Sequence, residues 1–382
     1  MSLIPYGRQW IDEEDIRAVV DVLTSDYLTQ GPKIVELETA LAQYCGSTHA
    51  VVFSSGTAAL HAAYFAAGIG EGDEIITSPV TFAATANAAI YLGASPAFVD
   101  VEPDTGNINP KLVEGAITKR TKAIVPVHFA GHPADLDPIH DIAERHGLLV
   151  IEDACHALGA SYRGKKAGSI SDMTAFSFHP VKPITTGEGG AVLTNSPVFY
   201  ERLLMFRTHG ITKDASRFEN TPHGDWYYEM HSLGYNYRMT DIQAALGLSQ
   251  LRKLDAFTAR RREIAKRYSD AFSESACFDI PVEREYARSC WHLYPIRLKN
   301  PCAERKRELF GKLRQRGMGV QVHYMPVYLH PYYRRLGYGE GLCPEAEGFY
   351  RRELSIPIYP LMADEDVSRV VSVMAELAEE MK

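Results

Sequence analysis

The sequence TAFSFHPVKPITTGEGG, residues 174–190, joins a short apolar strand to a loop that carries a lysine. Residues 174–178 have the β-branched and aromatic composition of a buried strand. Pro183 keeps Lys182 out of helical conformations, and the glycines that follow allow tight turns and close approach to a ligand. An amine held in a compact loop after a strand is placed to react, although a lone lysine is more often a solvated surface residue.

Strand-like and helix-like segments alternate from about residue 48 up to this stretch. The pattern predicts strands at 50–53, 74–77, 96–101, 122–127 and 148–151, and helices at 57–67, 82–92 and 136–146. Such alternation is typical of an α/β layer with a mostly parallel sheet that is buried on both faces. Ligands of these folds bind at the carboxyl ends of the strands, so the segments that follow the strands are the candidate site.

The C-terminal part has a different pattern. A long helix is predicted from 238 to about 271, strands at 293–297 and 320–324, and an amphipathic helix at 364–381. With 382 residues the chain is long enough for two domains. We expect an N-terminal arm (1–12), a large α/β domain (13–254) and a small α+β domain (255–382). The triplet Arg260, Arg261 and Arg262 is interpreted as a solvated helix face.

Composition excludes several classes of function. The 48 acidic and 40 basic residues give a net charge of −8 without a long basic run, which disfavours nucleic-acid binding. No apolar run approaches the ~20 residues that span a bilayer, and the first residues lack the pattern of a signal peptide. The cysteines show no CxxC pair and no metal-ligand spacing, so we predict free thiols, no metal site and a cytoplasmic location. They are Cys45, Cys155, Cys277, Cys290, Cys302 and Cys343.

Two strand ends carry groups that suit a phosphorylated cofactor. In residues 53–60, Ser55 can cap a helix whose unpaired N–H groups favour an anion, and Gly56 lets the backbone approach it. As pure structure this is an ordinary helix cap. In residues 148–156, Asp153 ends an apolar strand, where a carboxylate needs a cation or hydrogen-bond donors. Asp153 could keep a pyridine nitrogen protonated or could only cap the next segment; Glu152 is interpreted as structural, and His156 as the weakest candidate.

Two further residues complete the set. Phe82, at the start of a helix, could stack on a flat ring or pack in the core, and Ser177 could bind phosphate or only shape a turn. Together with Lys182 these groups match pyridoxal 5'-phosphate (PLP) better than a nucleotide. The motifs GxGxxG, GxxxxGK[ST] and GxSxG are absent, which weakens dinucleotide, P-loop and hydrolase interpretations.

Residues 54–60, 152–159 and 177–190 resemble the DegT/DnrJ/EryC1/StrS family of sugar-nucleotide aminotransferases, which have the aspartate-aminotransferase fold (PLP fold type I). The similarity extends from residues 28–32 through 234–239 to 322–324. It implies that Lys182 forms the Schiff base with PLP and that Asp153 pairs with the pyridine nitrogen. Gly56, Thr57 and Ser177 are then expected to hold the phosphate, Phe82 to stack on the ring and His156 to approach its oxygen.

The resemblance also implies a homodimer with shared sites, because Asn236 is expected to reach the phosphate of the neighbouring subunit's cofactor. Expected substrate contacts, in addition to Gly56, Ser177 and Asn236, are Tyr6, Asp26, Tyr27, Leu28, Thr29, Gln321, Val322, His323 and Tyr324. Two positions depart from the commonest family pattern: His156 stands where many members have Gln, and Pro183 where many have Asn.

The form of residues 182–190 is most similar to the pseudaminic-acid branch of the family. That branch transfers the amino group of L-glutamate to C4 of a UDP-linked 4-keto-6-deoxy-N-acetylhexosamine. One alternative is a C4 aminotransferase for another nucleotide 4-keto sugar, of the bacillosamine or perosamine type. The other is a non-catalytic regulatory or binding protein that keeps the fold, against which Lys182 argues; dehydratase relatives have His at that position.

Overall fold

The structure is a computed structural model that describes residues 3–381. Residues 1, 2 and 382, which belong to the predicted arm and small domain, lie outside the described residues. The helices are α1 Glu13–Leu23, α2 Pro32–Cys45, α3 Gly56–Ala66, α4 Ala84–Ile90, α5 Pro110–Val113, α6 Leu136–His146, α7 Pro197–Arg207, α8 Asp241–Phe272, α9 Lys306–Gln315, α10 Pro331–Arg335, α11 Pro344–Arg352 and α12 Asp364–Glu380.

Within residues 3–381 the strands form one large sheet and three small ones. They are β1 His49–Phe53, β2 Glu74–Thr77, β3 Ser95–Phe98, β4 Thr121–Val125, β5 Leu149–Asp153, β6 Ser161–Tyr162, β7 Lys165–Lys166, β8 Met173–Ser177, β9 Gly190–Thr194, β10 Ile211–Thr212, β11 Glu229–Met230, β12 Phe278–Asp279, β13 Ala287–Arg288, β14 Tyr294–Leu298 and β15 Glu353–Ile356.

The seven-stranded sheet has the order β1-β9-β8-β5-β4-β2-β3. All of its neighbours pair in parallel except β9, which is antiparallel to both β1 and β8. Its strands are buried almost throughout, because helices cover both faces and supply apolar cores such as the Ala-rich α3. The predicted α/β class with a mixed, mostly parallel sheet is confirmed.

A second apolar core lies in the C-terminal part. It is built around the sheet β12-β14-β15, the second half of α8, and α9 and α12. Ile4 also packs in this core and forms a bridge with Met318, so the described part of the arm runs back over the C-terminal residues. The predicted boundary between residues 254 and 255 falls inside α8, and the division into domains stays a prediction.

The interpretation of the arginine triplet as a solvated face is wrong for its central member. Arg261 is only 1% exposed, and its Nη1 donates to the carbonyl oxygens of Trp291, His292 and Ile358, at 3.4, 3.1 and 2.8 Å. Arg260 and Arg262 reach acidic residues nearer the surface. Consecutive helical residues point about 100° apart, so a charged triplet does not share one face.

The predicted strand at 320–324 is also wrong. These residues pair with β15 only through the single bridge between Gln321 and Ser355. Polar and apolar side chains alternate there as they do in a strand, but Gln321 is the only residue of this stretch that forms a β-bridge with a neighbouring strand. The long helix and the C-terminal helix are confirmed within a few residues as α8 and α12.

One pair of cysteines contradicts the prediction of six free thiols. Cys277 and Cys302 form a disulfide with Cα atoms 5.6 Å apart, while Cys45, Cys155, Cys290 and Cys343 are free. The two partners are separated by 25 residues and are brought together by the packing of the C-terminal core, which their spacing does not reveal. The predicted cytoplasmic location therefore loses one of its supports and stays a prediction.

Within residues 3–381, no helix has the length and apolarity that crossing a membrane requires, and no cluster of metal-ligating side chains is found.

Candidate active site

A cavity of about 460 Å³ opens beside the carboxyl ends of β5 and β8 and the start of α3. Parallel strands end at one edge of the sheet, so groups from distant parts of the chain meet there. The predicted site residues that line it are Tyr6, Gly56, Thr57, Phe82, Asp153, His156, Ser177, Lys182, His323 and Tyr324. Ser55, which the sequence analysis predicted as the helix cap, also lines it. Polar or charged lining residues that sequence reasoning missed are Thr81, Thr85, Cys155, His179 and Glu188.

Asp153 is the last residue of β5 and only 5% exposed. Its Oδ2 accepts a hydrogen bond from Thr85 Oγ1 at 2.5 Å, and its Oδ1 accepts one from the Cys155 backbone N–H at 3.1 Å. These donors orient the carboxylate without neutralising it, so it can still pair with a cationic group in the cavity. Thr85 comes from α4, and nothing in its local sequence indicates this contact.

The preceding residue faces away from the cavity, as alternate residues of a strand do. Glu152 is fully buried; its Oε2 lies 2.6 Å from His128 Nε2, and its Oε1 accepts from the Ser171 N–H at 3.2 Å. This buried pair ties β5 to the segment that follows β4. The interpretation of Glu152 as a structural residue fits this position.

Lys182 lies in the loop between β8 and β9, where its backbone N–H donates to the His179 carbonyl at 2.9 Å. Among residues 3–381 the side-chain amine has no hydrogen-bond or ion-pair partner. Burial lowers the pKa of Lys182, while the charges of Cys155 and Asp153 oppose that shift. A lowered pKa increases the fraction of neutral amine, which is the nucleophilic form and can accept a proton.

The start of α3 forms a cradle against the end of β8. Ser55 Oγ caps the helix by accepting from the Ala58 N–H at 3.1 Å. A Cβ atom on Gly56 would lie 2.8 Å from Ser177 Cβ, so only glycine allows this close approach. The first-turn N–H groups and the Ser177 hydroxyl are thereby placed beside the cavity, in an arrangement that suits a phosphate.

Three neutral rings, those of His156, His323 and Tyr324, line the cavity together. Tyr324 OH lies 3.2 Å from His156 Nε2, and burial lowers the pKa of His156 well below its ordinary value, as does the charge of Lys182. His156 Nδ1 is buried without a hydrogen-bond partner among the described residues. His323 packs at 4.8 Å, between ring centroids, from Tyr324.

Phe82 stands at the mouth of the cavity and is 61% exposed, with its ring centroid 6.3 Å from that of Tyr324. A phenylalanine that packs in the core would be buried, so this alternative is excluded. An exposed ring beside a polar cavity is a surface on which a flat ligand can stack.

The other predicted residues lie outside the cavity of the single chain. Asn236 is exposed and pairs with Thr208 through an isolated bridge; Gln321 is exposed and Val322 half-buried. The exposed turn of Asp26, Tyr27, Leu28 and Thr29 is tied to the chain just after Asn236 by the bridge between Thr29 and Thr240.

The cavity therefore combines a half-buried amine, an oriented carboxylate, an anion cradle, an exposed aromatic ring and an orphaned imidazole nitrogen. These are groups that PLP requires: an amine for its aldehyde, an anion for its ring nitrogen and donors for its phosphate. The fold and the site together define the PLP-dependent transferases of fold type I.

The chain belongs to the DegT/DnrJ/EryC1/StrS aminotransferase family, whose sequence pattern it matches over residues 9–375. It is 42% identical over 383 residues to the UDP-4-amino-4,6-dideoxy-N-acetyl-beta-L-altrosamine transaminase of Campylobacter jejuni, covering 100% of this chain and 99% of that protein.

Solved structures agree with this assignment. Helicobacter pylori PseC, an aminotransferase involved in the biosynthesis of pseudoaminic acid, superposes with a TM-score of 0.94 at 36% identity, over 99% of this chain and 100% of that one. The PLP form of the putative sugar aminotransferase Spr1654 from Streptococcus pneumoniae gives a TM-score of 0.93 at 32% identity, with 100% of both chains covered. The chain is a PLP-dependent sugar aminotransferase.

Proposed function

We propose that the protein transfers the amino group of L-glutamate to C4 of UDP-2-acetamido-2,6-dideoxy-β-L-arabino-hex-4-ulose. The product is UDP-4-amino-4,6-dideoxy-N-acetyl-β-L-altrosamine, an intermediate for pseudaminic acid. The observation that carries amino transfer is the meeting of Lys182 and Asp153 in one cavity. Full-length similarity to the Campylobacter transaminase and to PseC supports the choice of sugar.

The residues of the cavity have distinct proposed roles toward PLP. Bound PLP supplies an electron-poor pyridine ring that stabilises negative charge on the carbon carrying the amino group. The Asp153 carboxylate would pair with the ring nitrogen and keep it protonated, while Gly56, Thr57 and Ser177 would hold the phosphate. The Phe82 ring would stack on the cofactor, and His156 would use its free Nδ1 toward a polar atom of the ring.

Lys182 is proposed to hold the cofactor and then to move a proton at the amino-bearing carbon. Its lowered pKa suits both tasks, because a neutral amine accepts a proton and the resulting ammonium returns it. The phosphate cradle would hold the cofactor in one position relative to this amine.

A panel of keto sugars tests the choice of substrate. We expect L-glutamate-dependent amination of the proposed UDP-linked keto sugar at a kcat/KM at least about tenfold above that for its C4 or C5 stereoisomers and for dTDP- or GDP-linked 4-keto sugars. Product detection by mass spectrometry and 2-oxoglutarate release provide the measurement. Faster turnover of a bacillosamine- or perosamine-type substrate would keep the aminotransferase and reject the proposed sugar.

We also propose that the site is shared between two copies of the chain. Asn236 and the turn at residues 26–29 are exposed and lie outside the cavity of their own chain, and the bridge between Thr29 and Thr240 joins the surface of the turn to the segment just after Asn236. That surface carries exposed apolar residues such as Tyr27 (57%) and Leu28 (48%), which a second copy would cover. Asn236 of one copy would then reach the phosphate held by the other.

Mixed dimers test this arrangement. Asn236→Ala and Lys182→Ala homodimers are each expected to be impaired, whereas mixed dimers should regain up to about a quarter to a half of the wild-type activity per dimer. Activity returns because one of the two sites then has both residues intact. Native mass spectrometry measures the dimer population beside the assay. If mixed dimers form and stay as inactive as the parents, the sites are not shared through Asn236.

A further inference from the structure

A chain of hydrogen bonds leads from a buried carboxyl group to a histidine in the wall of the cavity. Ser355 Oγ lies 2.5 Å from Glu353 Oε1 on one side and 2.8 Å from His323 Nδ1 on the other. Glu353 Oε2 also accepts from the His323 backbone N–H at 2.7 Å. Glu353 and Ser355 are fully buried, while His323 lines the cavity and is 7% exposed.

The backbone holds these three residues in register. Gln321 and Ser355 exchange two backbone hydrogen bonds, of 3.2 and 2.8 Å, and Glu353 and Ser355 are alternate residues of β15, so both side chains point to the same face. The Nδ1 atom of His323 is therefore held in a hydrogen bond with Ser355. Its Nε2 makes no hydrogen bond within residues 3–381.

The charges around Glu353 are few. Lys306 from α9 faces it, with the Lys306 amine held by the Tyr350 carbonyl at 2.6 Å, and Tyr324 lies on the cavity side. Arg297, its partner across β14, donates to the carbonyls of Pro103 and Ile280 instead. Burial raises the pKa of Glu353, and the hydrogen bonds from Ser355 and His323 and the charge of Lys306 only partly offset this.

Burial and the charge of Lys182 lower the pKa of His323 to about 3. The ring is therefore neutral at ordinary pH and carries one proton, on either Nδ1 or Nε2. Ser355 Oγ has one proton, and its hydrogen bonds among the described residues are only those to Glu353 and His323. The hydroxyl therefore finds an acceptor only if it donates to one of these neighbours and accepts from the other, so the two bonds run in the same direction along the chain. The direction depends on whether Glu353 Oε1 donates or accepts.

With Glu353 protonated, Oε1–H donates to Ser355, Ser355 donates to Nδ1, and the ring carries its proton on Nε2. With Glu353 ionised, Ser355 donates to Oε1 and Nδ1–H donates to Ser355. One proton leaves overall in this change: the proton on Glu353 Oε1 moves to Ser355 Oγ, the Ser355 proton moves to His323 Nδ1, and the Nε2 proton is released into the cavity.

We infer that Glu353, acting through Ser355, decides whether His323 presents a hydrogen-bond donor or an acceptor to the substrates in the cavity. Glu353 and Ser355 are positioning residues, since they touch neither substrate nor cofactor; the consequence for substrates rests on the proposed function. A protonated Nε2 can donate a hydrogen bond to the carboxylate of the amino-acid substrate, whereas an unprotonated Nε2 can accept one from a sugar hydroxyl. One side chain can thus serve both substrates of the reaction.

The tautomer of His323 can be measured without any substrate. Ring-nitrogen NMR of protein labelled with ¹⁵N-histidine, with the signal assigned by loss in His323→Gln, distinguishes protonated from bare Nδ1 and Nε2. From about pH 5 to pH 10, a range that includes the raised pKa of about 8 for Glu353, we expect the wild-type ring to change from Nε2–H to Nδ1–H. A ring that keeps one tautomer across this range would overturn the inference.

Two variants and one control identify the residues responsible. Glu353→Gln should hold the ring as Nε2–H throughout. Its amide oxygen is needed to accept from the His323 backbone N–H, so its NH₂ group faces Ser355 and donates to it. Ser355→Ala should abolish the pH-dependent change. Ser249→Ala removes another fully buried hydroxyl, one without a hydrogen-bond partner among the described residues, and should titrate like the wild type. A wild-type titration in either relay variant would contradict the inference.

A kinetic measurement connects the tautomer to recognition. Across the same pH range, the KM for L-glutamate should rise by about tenfold more in the wild type than in Glu353→Gln. The reason is that only the wild-type enzyme loses the Nε2–H of His323, which donates to the substrate carboxylate. Equal pH profiles would overturn the link to substrate recognition. Since the NMR titration needs no turnover, an inactive enzyme with a normal tautomer change would reject the proposed function and leave the relay intact.

Discussion

Replacing Lys182 by alanine is expected to lower amino transfer by at least about 10⁴-fold while the protein still folds and forms its usual oligomer. The methyl group can neither hold the cofactor nor move a proton, and among residues 3–381 no other lysine lines the cavity. The loop itself should survive, because the amine makes no hydrogen bond or ion pair within the described residues. Steady-state rates, circular dichroism and the visible absorbance of protein saturated with PLP measure these effects.

A matched lysine provides the control for this variant. Lys165, in β7, is exposed, and no hydrogen bond or ion pair of its side chain is found among the described residues. Lys165→Ala should keep the wild-type rate and the visible absorbance of the bound cofactor. If Lys182→Ala retained more than about a hundredth of the activity, the covalent and proton-transfer roles would belong to another group.

Site residues at the ends of strands were predictable from the sequence, because a short local segment shows both the strand and the functional side chain that ends it or follows it. Asp153 ends an apolar strand, Ser177 ends the next strand of the sheet, and Gly56 begins a helix after β1. The parallel arrangement of the sheet then brings these ends together. Placement in one cavity is therefore the part of the site that pattern and topology determine.

Contacts between distant segments were not predictable in this way. Thr85 donates a hydrogen bond to the carboxylate of Asp153, which is 68 residues away in the sequence. The hydrogen bond between Ser355 and Glu353 has a consequence for the cavity only because His323 lies beside both residues. The burial of Arg261 likewise depends on three carbonyl groups supplied by later residues. None of these side chains differs in its local sequence from an ordinary surface residue, because the environment that gives it a role forms only in the tertiary structure.

Asp153→Asn is expected to lower kcat by about 10³-fold with little loss of stability. The amide keeps the size of the carboxyl group and can still accept the hydrogen bond from the Cys155 N–H. It carries no negative charge, however, so it cannot hold a proton on a pyridine nitrogen whose own basicity is modest. The loss should appear in kcat for both amino donor and acceptor, because each half of the reaction needs the protonated ring.

The strand environment supplies a control for this substitution. Asp172, just before β8, accepts a hydrogen bond from the Val150 N–H at 2.8 Å with its Oδ2 and does not line the cavity. Asp172→Asn removes a carboxylate from the opposite end of the same sheet and should leave kcat within about twofold of the wild type. Asp153→Asn should also shift the absorbance of bound PLP, since the charge beside its ring changes, whereas Asp172→Asn should not. A variant at position 153 with near-normal kcat and unchanged absorbance would show that this carboxylate does not pair with the cofactor ring, and the assignment of the cavity would then have to rest on Lys182 and the phosphate cradle alone.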